Sequence, residues 1–379
     1  MEIRFLPSIN DINAVEWDSL NTDAYPFTRH AFLSALEDSQ SCCRESGWQP
    51  YHITLYEQDK LLAAMPLYLK NHSYGEYVFD WSWADAYHRH GKEYYPKLIS
   101  CIPFTPATGP RLLCKRDTEE ILPVMLKAII DEAERLNCSS WHCLFSDKIS
   151  SDQLAELGIS QRLSSQFHWF NENFSSFDDF LSTFNARKRK SLKRERRKVQ
   201  EQGITLKTLT GDQISADQWD FFYQLYHLTY LKRSGRKGYL NAEFFSCLSQ
   251  RLPDQVMMVI AEFEGRMVAG ALNFFDDTTL YGRYWGCSEN FDFLHFEACY
   301  YQGLEFAIQR GLQRFDPGAQ GEHKIQRGFK PVETWSNHWI ADEQFREAID
   351  RFLLEEAQGV RGYIADAHNY LPFKNTDSK

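Results

Sequence analysis

Apolar and polar positions divide the chain into two halves that repeat one order of elements. Each half contains two β-rich runs joined by a short acidic turn, at residues 53–70 and 259–276, which predicts a hairpin in each half. After each hairpin the pattern predicts an amphipathic helix and then a short aromatic strand, at 118–137 with 141–145 and at 293–310 with 314–316. Few residue identities are shared, so the repeat lies in the order of elements and predicts two related domains.

The second half shows this order most clearly. Its pattern predicts a strand, two helices, three antiparallel strands, a helix, a strand and, after a loop, a strand and a closing helix: 204–209, 217–233, 241–251, 256–262, 266–274, 278–285, 293–310, 314–316, 333–340 and 342–358. Antiparallel strands followed by a strand–helix–strand passage are typical of a mixed sheet with helices packed on it. The predicted fold class is therefore α/β, in the sense of an α+β mixed sheet.

A basic helix is predicted between the halves. Ser176 with Asp179 forms a capping pair and Gly203 supplies a stop, so one long helix is expected. Its thin apolar stripe should face the body of the protein and its basic positions should face water. We therefore expect an N-terminal domain at 1–170, a basic linking helix at 171–203 and a C-terminal domain at 204–379.

Composition places the chain among globular proteins. Its 379 residues are 43% hydrophobic and 15% aromatic, which is enough for a sizeable core. No apolar run approaches the ~18 residues that a membrane span needs, and the first residues lack the basic start and apolar stretch of a signal peptide. The nine cysteines include no C-x-x-C pair and are expected to be reduced thiols. We therefore expect a cytoplasmic protein without a transmembrane segment.

Charge is unevenly distributed along the chain. The formal net charge is −10, yet residues 187–198 contain nine basic residues and one acid, Glu195. The rest of the chain is therefore more acidic than the net charge suggests. An intensely basic element on an acidic body indicates an anionic partner, and Arg187, Lys190, Arg194 and Arg197 are the candidate anion-binding residues.

Four stretches carry a resemblance to known proteins: 80–88 (DWSWADAYH), 104–111 (FTPATGPR), 230–233 (YLKR) and 314–329 (RFDPGAQGEHKIQRGF). The order of elements resembles the GCN5-related N-acetyltransferase (GNAT) fold. Two such domains with a basic helix between them resemble the Fem-type aminoacyl- and peptidyltransferases. Over nearly its whole length the chain is similar to FemAB-like predicted N-acyltransferases, a bacterial group described as peptidoglycan biosynthesis or recognition proteins. The resemblance implies two tandem GNAT-like domains and acyl transfer to an amine.

The loop at 316–329 concentrates the candidate chemistry of the second domain. Its glycines let backbone N–H groups approach a ligand, and Lys324 with Arg327 could neutralise a phosphate or a carboxylate. Asp316, Glu322 or His323 is the candidate base for an attacking amine. The alternative is a surface loop whose glycines only make turns. Further candidate substrate contacts in this domain are Tyr230, Lys232, Tyr284, Trp285 and Gln320.

Residues 80–90 supply the first domain's candidate contacts. The side chains are Trp81, Trp83, Asp85, Tyr87 and His88. They form either a pocket wall that orients an amine or an aromatic core strand with its polar residues outward. The H-x-H pair of His88 with His90 lacks a third ligand at a recognisable spacing, so no metal site is expected.

Residues 105–111 contain two prolines and a glycine, which predicts a rigid non-helical turn. Thr105 and Thr108 are candidate substrate contacts. Arg111 either grips a carboxylate through two hydrogen bonds or is simply an exposed arginine of a structural turn.

The loop at 288–293 bears on the acyl donor. In the acetyltransferases that the chain resembles, a basic, glycine-rich loop at this position holds the pyrophosphate of coenzyme A, whereas this loop carries two acids. Coenzyme A binding of the usual kind is therefore in doubt, and aminoacyl-tRNA would suit a Fem-like protein. The basic helix would then contact RNA phosphates. Motifs for a nucleophile elbow, a P-loop, a zinc protease and a dinucleotide site are absent, which removes support for hydrolase, kinase and dehydrogenase functions.

These patterns lead to one functional hypothesis and two alternatives. The hypothesis is an N-acyltransferase whose amine acceptor is a small molecule or a cell-wall precursor. It has no tightly bound cofactor and takes acyl-CoA as co-substrate. The amine would attack the activated carbonyl directly, at a centre in the second domain, while the first domain shapes the acceptor cleft. The alternatives are an aminoacyl-tRNA-dependent transferase and a non-catalytic recognition module for peptidoglycan or RNA. The sequence does not determine the oligomeric state.

Overall fold

The computed structural model describes residues 1–115, 118–319 and 321–374. The strands are β1 (Glu2–Leu6), β2 (Trp48–Pro50), β3 (His52–Glu57), β4 (Lys60–Met65), β5 (Tyr68–Lys70), β6 (Lys97–Ser100), β7 (Leu113–Cys114), β8 (Ser140–Ser146), β9 (Ser160–Phe170), β10 (Ile204–Thr210), β11 (Val256–Phe263), β12 (Arg266–Phe275), β13 (Thr279–Cys287), β14 (Arg314–Asp316) and β15 (Lys330–Ile340).

The helices are α1 (Ala14–Asp18), α2 (His30–Asp38), α3 (Trp81–Arg89), α4 (Thr118–Arg135), α5 (Lys148–Glu156), α6 (Phe177–Ser182), α7 (Ala186–Glu201), α8 (Ala216–Ser234), α9 (Ala242–Arg251), α10 (Leu294–Phe296), α11 (Gln302–Gln309) and α12 (Glu343–His368). A π-helical turn (Glu297–Tyr301) joins α10 to α11. Short 3₁₀ turns lie at Ile9–Asp11, Pro26–Thr28, Gly211–Gln213, Pro253–Gln255 and Glu322–Arg327.

The chain forms two compact units. The first comprises Met1–Ser165 with Glu333–Tyr363, and the second comprises Gln166–Val332 with the chain from Ile364 onwards. These units differ from the expected boundaries, because the strand predicted at 333–340 belongs to the first unit. There, β15 is paired antiparallel with β8. The basic helix α7 lies within the second unit instead of linking two domains.

The first unit contains two sheets. One has the antiparallel order β1-β3-β4-β7, and in the other β15, β8, β6, β5 and β2 are neighbours, with β6 and β8 parallel. The predicted hairpin at 53–70 is confirmed for β3 and β4, whereas β5 joins the second sheet. Helix α4 packs its apolar side on the core around Trp141. A smaller apolar cluster joins α3 to α12.

The second unit contains one mixed sheet of order β10-β11-β12-β13-β14-β9. Strands β10 to β13 are antiparallel, and β14 is parallel to β13. The predicted order of elements in this half is confirmed through β14. Helix α8 lies close against β13, because a Cβ atom at Gly286 would be 2.5 Å from the carbonyl oxygen of Leu225. Only glycine permits this approach between helix and strand.

Two local predictions are corrected by the structure. Residues 81–89 form helix α3, so the strand interpretation of 80–90 is wrong; Trp83 and Tyr87, one helical turn apart, are the buried residues. The single long helix predicted after Ser176 is also wrong, because the chain forms α6 and α7. Asn185 separates them, and its side chain accepts a hydrogen bond from the Lys188 N–H and caps α7. No helix in the described part of the chain is long and apolar enough to cross a membrane.

Two buried histidines face each other in the first unit. The Nδ1 atoms of His142 and His338 are 2.7 Å apart, and Nε2 of His338 lies 2.9 Å from the Ser336 hydroxyl. Burial lowers the pKa of His142 to about 3, with Lys97 adding to the shift. Burial also lowers the pKa of His338 well below its ordinary value, and His142 adds to that shift. Both rings are therefore neutral in the folded chain at neutral pH.

We predict that acidification destabilises the first unit through these two rings. In the unfolded chain a histidine is protonated below about pH 6.5, while the folded rings stay neutral. The free energy of unfolding is therefore fully present above pH 6.5 and falls by roughly 1 kcal/mol per pH unit per ring as the pH decreases toward the folded-state pKa. Urea unfolding at pH 7.5, 6.0 and 5.0 measures this slope.

Two variants distinguish the effect of histidine titration on the free energy of unfolding from the effect of packing and hydrogen bonding. His338→Asn should reduce the pH slope, whereas Ser336→Ala removes a hydrogen-bond partner and should lower stability without changing the slope. If His338→Asn left the pH dependence of the free energy of unfolding unchanged, that dependence could not be assigned to this ring.

Candidate active site

The pairing of β13 with β14 ends where the candidate loop begins. Their parallel pairing ends at Tyr281 and Asp316, whereas β12 and β13 remain paired as far as Ala269 and Cys287. The chain leaves β14 through Pro317 and Gly318. The loop therefore starts at the end of a strand, where functional groups are often placed.

A β-bulge in β13 directs an arginine toward the end of β14. Leu272 pairs with Tyr284 and Asn273 pairs with Gly282, which leaves Arg283 as the extra residue of β13. The Arg283 side chain is 2% exposed. Sequence reasoning did not select Arg283, because a bulge depends on the register with the neighbouring strand.

Arg283 forms a buried ion pair with Asp316. Its Nη2 donates to Oδ2 at 2.7 Å, and the Gly318 N–H donates to Oδ1 at 2.9 Å. His168 Nε2 lies 3.6 Å from the same Oδ1. Burial alone would raise the pKa of Asp316, but Arg283 and His168 hold it below its ordinary value. Asp316 is therefore a charged anchor, and burial lowers the pKa of His168 to about 4, which keeps that ring neutral.

Lys324 extends this cluster into the loop. It lies on the 3₁₀ turn that begins after Gly321 and ends at Gly328, two glycines with positive φ. Its Nζ donates to the Gly318 carbonyl at 2.5 Å. Burial lowers the pKa of Lys324 to about 8, although Asp316 opposes the shift. This buried amine therefore loses its proton more readily than an ordinary lysine does.

His323 lies at the surface beside these buried groups. Its Nε2 is 2.8 Å from the Tyr300 hydroxyl, and its ring contacts those of His295 and Phe296. Burial lowers the pKa of His323, and the nearby Arg327 and Lys324 lower it further. Glu322, the other exposed candidate base, precedes His323 on the same turn.

Arg327 is buried and makes two hydrogen bonds inside the second unit. Its Nη2 donates to Glu195 Oε2 at 2.9 Å and its Nη1 donates to the His323 carbonyl at 2.8 Å. The guanidinium lies 3.4 Å from the centroid of the Phe296 ring. Arg327 therefore ties the loop to helix α7, because Glu195 lies on that helix.

The other predicted contacts of the second unit lie in two aromatic groups. Tyr284 packs edge-on against Tyr226, which also contacts Tyr230. Trp285 contacts His295 and, through it, the ring of His323. Lys232 is exposed at the end of α8, and Gln320 lies outside the described residues. The structure thus brings Asp316, His323, Lys324 and Arg327 together, with Trp285 nearby.

The predicted contacts on α3 point in two directions. Trp83 and Tyr87 are buried, and Trp83 stacks edge-on against His338. Trp81, Asp85 and His88 are exposed on the opposite side of the helix. The structure therefore does not gather these five side chains into one pocket wall.

Arg111 holds the 105–111 turn from inside. It is 1% exposed and donates to the carbonyls of Ala107 at 2.7 Å and of Leu144 at 2.8 Å. The interpretation as an exposed arginine is wrong, because backbone carbonyls use its donors. Thr105 is buried and donates to the Pro103 carbonyl, and the Thr108 hydroxyl is buried without a hydrogen-bond partner in the described structure.

Helix α7 presents cations on one side and buried groups on the other. Leu192, Glu195 and Val199 are buried. The exposed cations are Arg187, Lys190, Lys193, Arg194, Arg197 and Lys198. Among the described residues, Arg187, Lys190, Arg194 and Lys198 have no acidic partner.

A cleft of about 760 Å³ borders this basic face. It lies between α6, α7 and α11 and is lined by Ser175, Ser176, Phe177, Asp178, Leu181, Lys193, Arg196, Arg197, Gln200, Glu305, Ile308 and Gln309. Arg196 is held on its wall by Glu297 and Glu305. The lining combines three cations, Lys193, Arg196 and Arg197, with two acids, Asp178 and Glu305.

We predict that Asp316→Asn lowers the free energy of unfolding by about 3–5 kcal/mol, because Arg283 is left as a buried charge without a counter-charge. Urea unfolding measures the change. The matched control is Asp85→Asn, which breaks the exposed ion pair with Arg89 and should cost less than about 1 kcal/mol. The double variant Arg283→Gln with Asp316→Asn should lose less free energy of unfolding than the sum of the two single variants. Additive losses would contradict a direct interaction between the two side chains.

Comparisons with known proteins agree with this architecture. The chain resembles the crystal structure of FemX with a TM-score of 0.56 and 14% sequence identity, over 92% of this chain and 100% of FemX. It also resembles the C-terminal domain of a putative lysylphosphatidylglycerol synthetase from Agrobacterium fabrum, with a TM-score of 0.55 and 10% identity over 92% of this chain and 98% of that domain. A third similar structure is L-PGS from Bacillus licheniformis, with a TM-score of 0.51 and 11% identity over 85% and 95% of the two chains.

At these identities the structural likeness establishes the fold, which is that of tandem GNAT-like domains. No curated protein matches the sequence. A family model described as peptidoglycan biosynthesis/recognition matches residues 8–375. Because this match spans nearly the whole chain, the protein belongs to the FemAB-like family.

Proposed function

We propose that the protein is an N-acyltransferase that moves an aminoacyl group from aminoacyl-tRNA to an amine of a peptidoglycan precursor. The family supports transfer related to peptidoglycan. The observation that carries the choice of donor is the loop before α10. In this loop the Asp292 N–H donates to the side-chain oxygen of Gln202 at 2.9 Å, and the side-chain nitrogen of Gln202 donates to the Asp292 carbonyl at 3.0 Å. Gln202 therefore occupies the backbone groups of Asp292.

This loop suits coenzyme A poorly. Glu289 and Asp292 bring negative charge to the start of the helical segment, where an acetyltransferase would hold a pyrophosphate. The exposed cations of α7 and the bordering cleft instead match a polyanion such as RNA. Both features therefore favour a tRNA-borne donor over acyl-CoA.

The proposed transfer is one addition and one elimination. The acceptor's neutral amine attacks the ester carbonyl of the aminoacyl group, and a C–N bond forms. The C–O bond to the tRNA ribose then breaks. The one proton that the amine loses passes to a base and from the base to the departing ribose oxygen, while the amide nitrogen keeps the other proton. Backbone N–H groups of β13 beyond the end of its pairing with β14 would stabilise the oxyanion.

His323 is the proposed base. It is exposed, neutral at pH 7 because its pKa is lowered, and close to the buried cluster. Asp316 is a positioning residue, since it orients Arg283 and the start of the loop. Lys324 fixes the start of the loop through the Gly318 carbonyl, and Arg327 fixes the turn that carries His323.

A transfer assay with charged tRNA tests the donor. The full chain is incubated with charged tRNA or acetyl-coenzyme A and a soluble peptidoglycan precursor that bears a free amine. We expect transfer from tRNA only, with a log–log salt slope that becomes about two units less negative in Lys190→Glu with Arg194→Glu. The matched control is Lys60→Glu with Lys127→Glu, which should leave the slope unchanged.

Other outcomes of this assay would overturn the proposal. Transfer from acetyl-coenzyme A would identify an acetyltransferase, and salt-insensitive transfer from tRNA would remove α7 from the donor site. Precursor binding without transfer from either donor would identify a recognition module.

We predict a low-pH limit on kcat/KM that reports His323. The base must be neutral, so the rate is lost as pH falls through the His323 pKa, and the half-maximal rate lies below about pH 6.5. His323→Ala should lower kcat by about 10²–10⁴ and abolish this limit. Glu322→Gln is the control, and this variant should keep the low-pH limit on kcat/KM. A normal pH profile in His323→Ala would show that another group accepts the proton.

A further inference from the structure

A buried ammonium organises an exposed aromatic segment of the first unit. Lys97 Nζ donates to Ser73 Oγ at 2.9 Å, to Glu76 Oε2 at 2.8 Å and to Asp80 Oδ2 at 2.5 Å. These residues are all buried, and Glu76 and Asp80 raise the pKa of Lys97 against the effect of burial. One cation therefore fixes three points along residues 73–80.

The side chains between and after these anchors are large aromatic groups that face solvent. Tyr74 is 46% exposed, Phe79 is 57% exposed and Trp81 is 41% exposed. The rings of Tyr74 and Trp81 lie 5.0 Å apart, with their planes inclined by 59°. Tyr74 and Trp81 form an exposed aromatic patch, and Phe79 is exposed two positions before Trp81. Single exposed apolar residues, by contrast, are ordinary.

The backbone under each ring is held in place. The Tyr74 carbonyl accepts from Trp48 Nε1 at 3.2 Å and from Lys70 Nζ at 3.3 Å. The Phe79 carbonyl accepts from Arg162 at 2.8 Å. Trp81 begins α3 directly after the anchored Asp80. The rings are thus presented on a rigid backbone, which lowers the ordering cost of binding a ligand.

The polar groups beside the rings indicate the ligand. Asp85 and His88 lie on the exposed side of α3 with Trp81, at spacings of one and two helical turns. Asp85 is paired with Arg89, so the two charges cancel. A neutral surface of inclined aromatic planes with hydrogen-bonding groups matches pyranose rings, which have apolar C–H faces and hydroxyls at the edge. It does not match RNA or an anionic membrane, which need net positive charge.

We propose that Tyr74, Phe79 and Trp81 form a glycan-binding platform for a β-1,4-linked oligosaccharide of N-acetylhexosamines. The N-acetyl class rests on the proposed peptidoglycan-related acceptor, while the platform itself rests on the rings and their anchors. Successive sugars would stack on the inclined rings of Tyr74 and Trp81, and Asp85 with His88 would bond their hydroxyls.

Calorimetric titration of the full chain with N-acetylglucosamine hexamer tests the platform. We expect saturable binding that Trp81→Ala weakens by about tenfold, which corresponds to about 1.4 kcal/mol. Trp81→Phe should restore most of the affinity, because it returns an aromatic plane. The matched control is Tyr370→Ala, which removes an exposed aromatic ring of the second unit and should leave the affinity unchanged.

Several results would overturn the proposal. These are no saturable binding up to the solubility of the sugar, binding that Trp81→Ala leaves intact, and equal binding of a glucose hexamer. Sedimentation and co-flotation with neutral and anionic vesicles complete the test. Self-association or vesicle binding that Trp81→Ala abolishes would assign the patch to a second copy or to a lipid surface instead. No acyl donor is present in these titrations, so their result is separate from that of the transfer assay.

Discussion

A guanidinium and a carboxylate, both almost completely removed from water, join β13 to the end of β14 in the second unit. Isolated, either charge would be very costly to bury, so the pair persists only because Arg283 and Asp316 meet with good geometry. The bulge in β13 makes that meeting possible, because it turns Arg283 out of the regular alternation. Asp316 then binds the Gly318 N–H, and the Gly318 carbonyl accepts from Lys324. The conformation of the first part of the candidate loop follows from this one pair.

The second constraint on the same loop comes from a single acid in a basic helix. Glu195 accepts hydrogen bonds from the Tyr301 hydroxyl and from Arg327, so it fixes both the rotation of α7 and the end of the loop. With Glu195 turned inward, the helical period turns the residues on the other side outward, and these are cations. The basic surface and the candidate active site are therefore positioned by the same buried contact.

The sequence predicted the elements of the second half well because their signals are local. The hairpin of β11 and β12, the cap of α9 at Asn241 and the stop at Gly311 depend on neighbouring residues. The prediction of one long helix between the halves was wrong at Asn185, because this residue caps the start of α7 and the helix is not continuous there. The placement of β15 in the first unit depends on pairing with β8, nearly 200 residues away in the chain. Such pairing leaves no trace in local periodicity.

The sequence indicated which residues to consider for the candidate site, but it did not indicate how their side chains are arranged in space. Asp316 and Lys324 both bind Gly318, whereas Arg327 binds Glu195 on α7, and the choice of this loop as the site stays a prediction. Their burial was not foreseen, and neither was Arg283, because both depend on the register of the sheet. Arg111 shows the same limit, since the pattern of a turn does not reveal that an arginine lies under it and binds its carbonyls.

In each unit a buried cation fixes the conformation of a connecting segment. Lys97 does so for residues 73–80, and Arg283 does so for the loop after Asp316. An ion pair in the interior is seldom more stabilising than well-packed apolar residues, so its retention is better explained by the conformation it specifies. In the second unit the fixed loop exposes titratable groups, among them His323, which suits proton transfer. In the first unit every charge bound to Lys97 is enclosed, and what reaches the solvent is aromatic. The same physical device thus supports chemistry in one unit and a contact surface in the other, because the residues between the anchors differ.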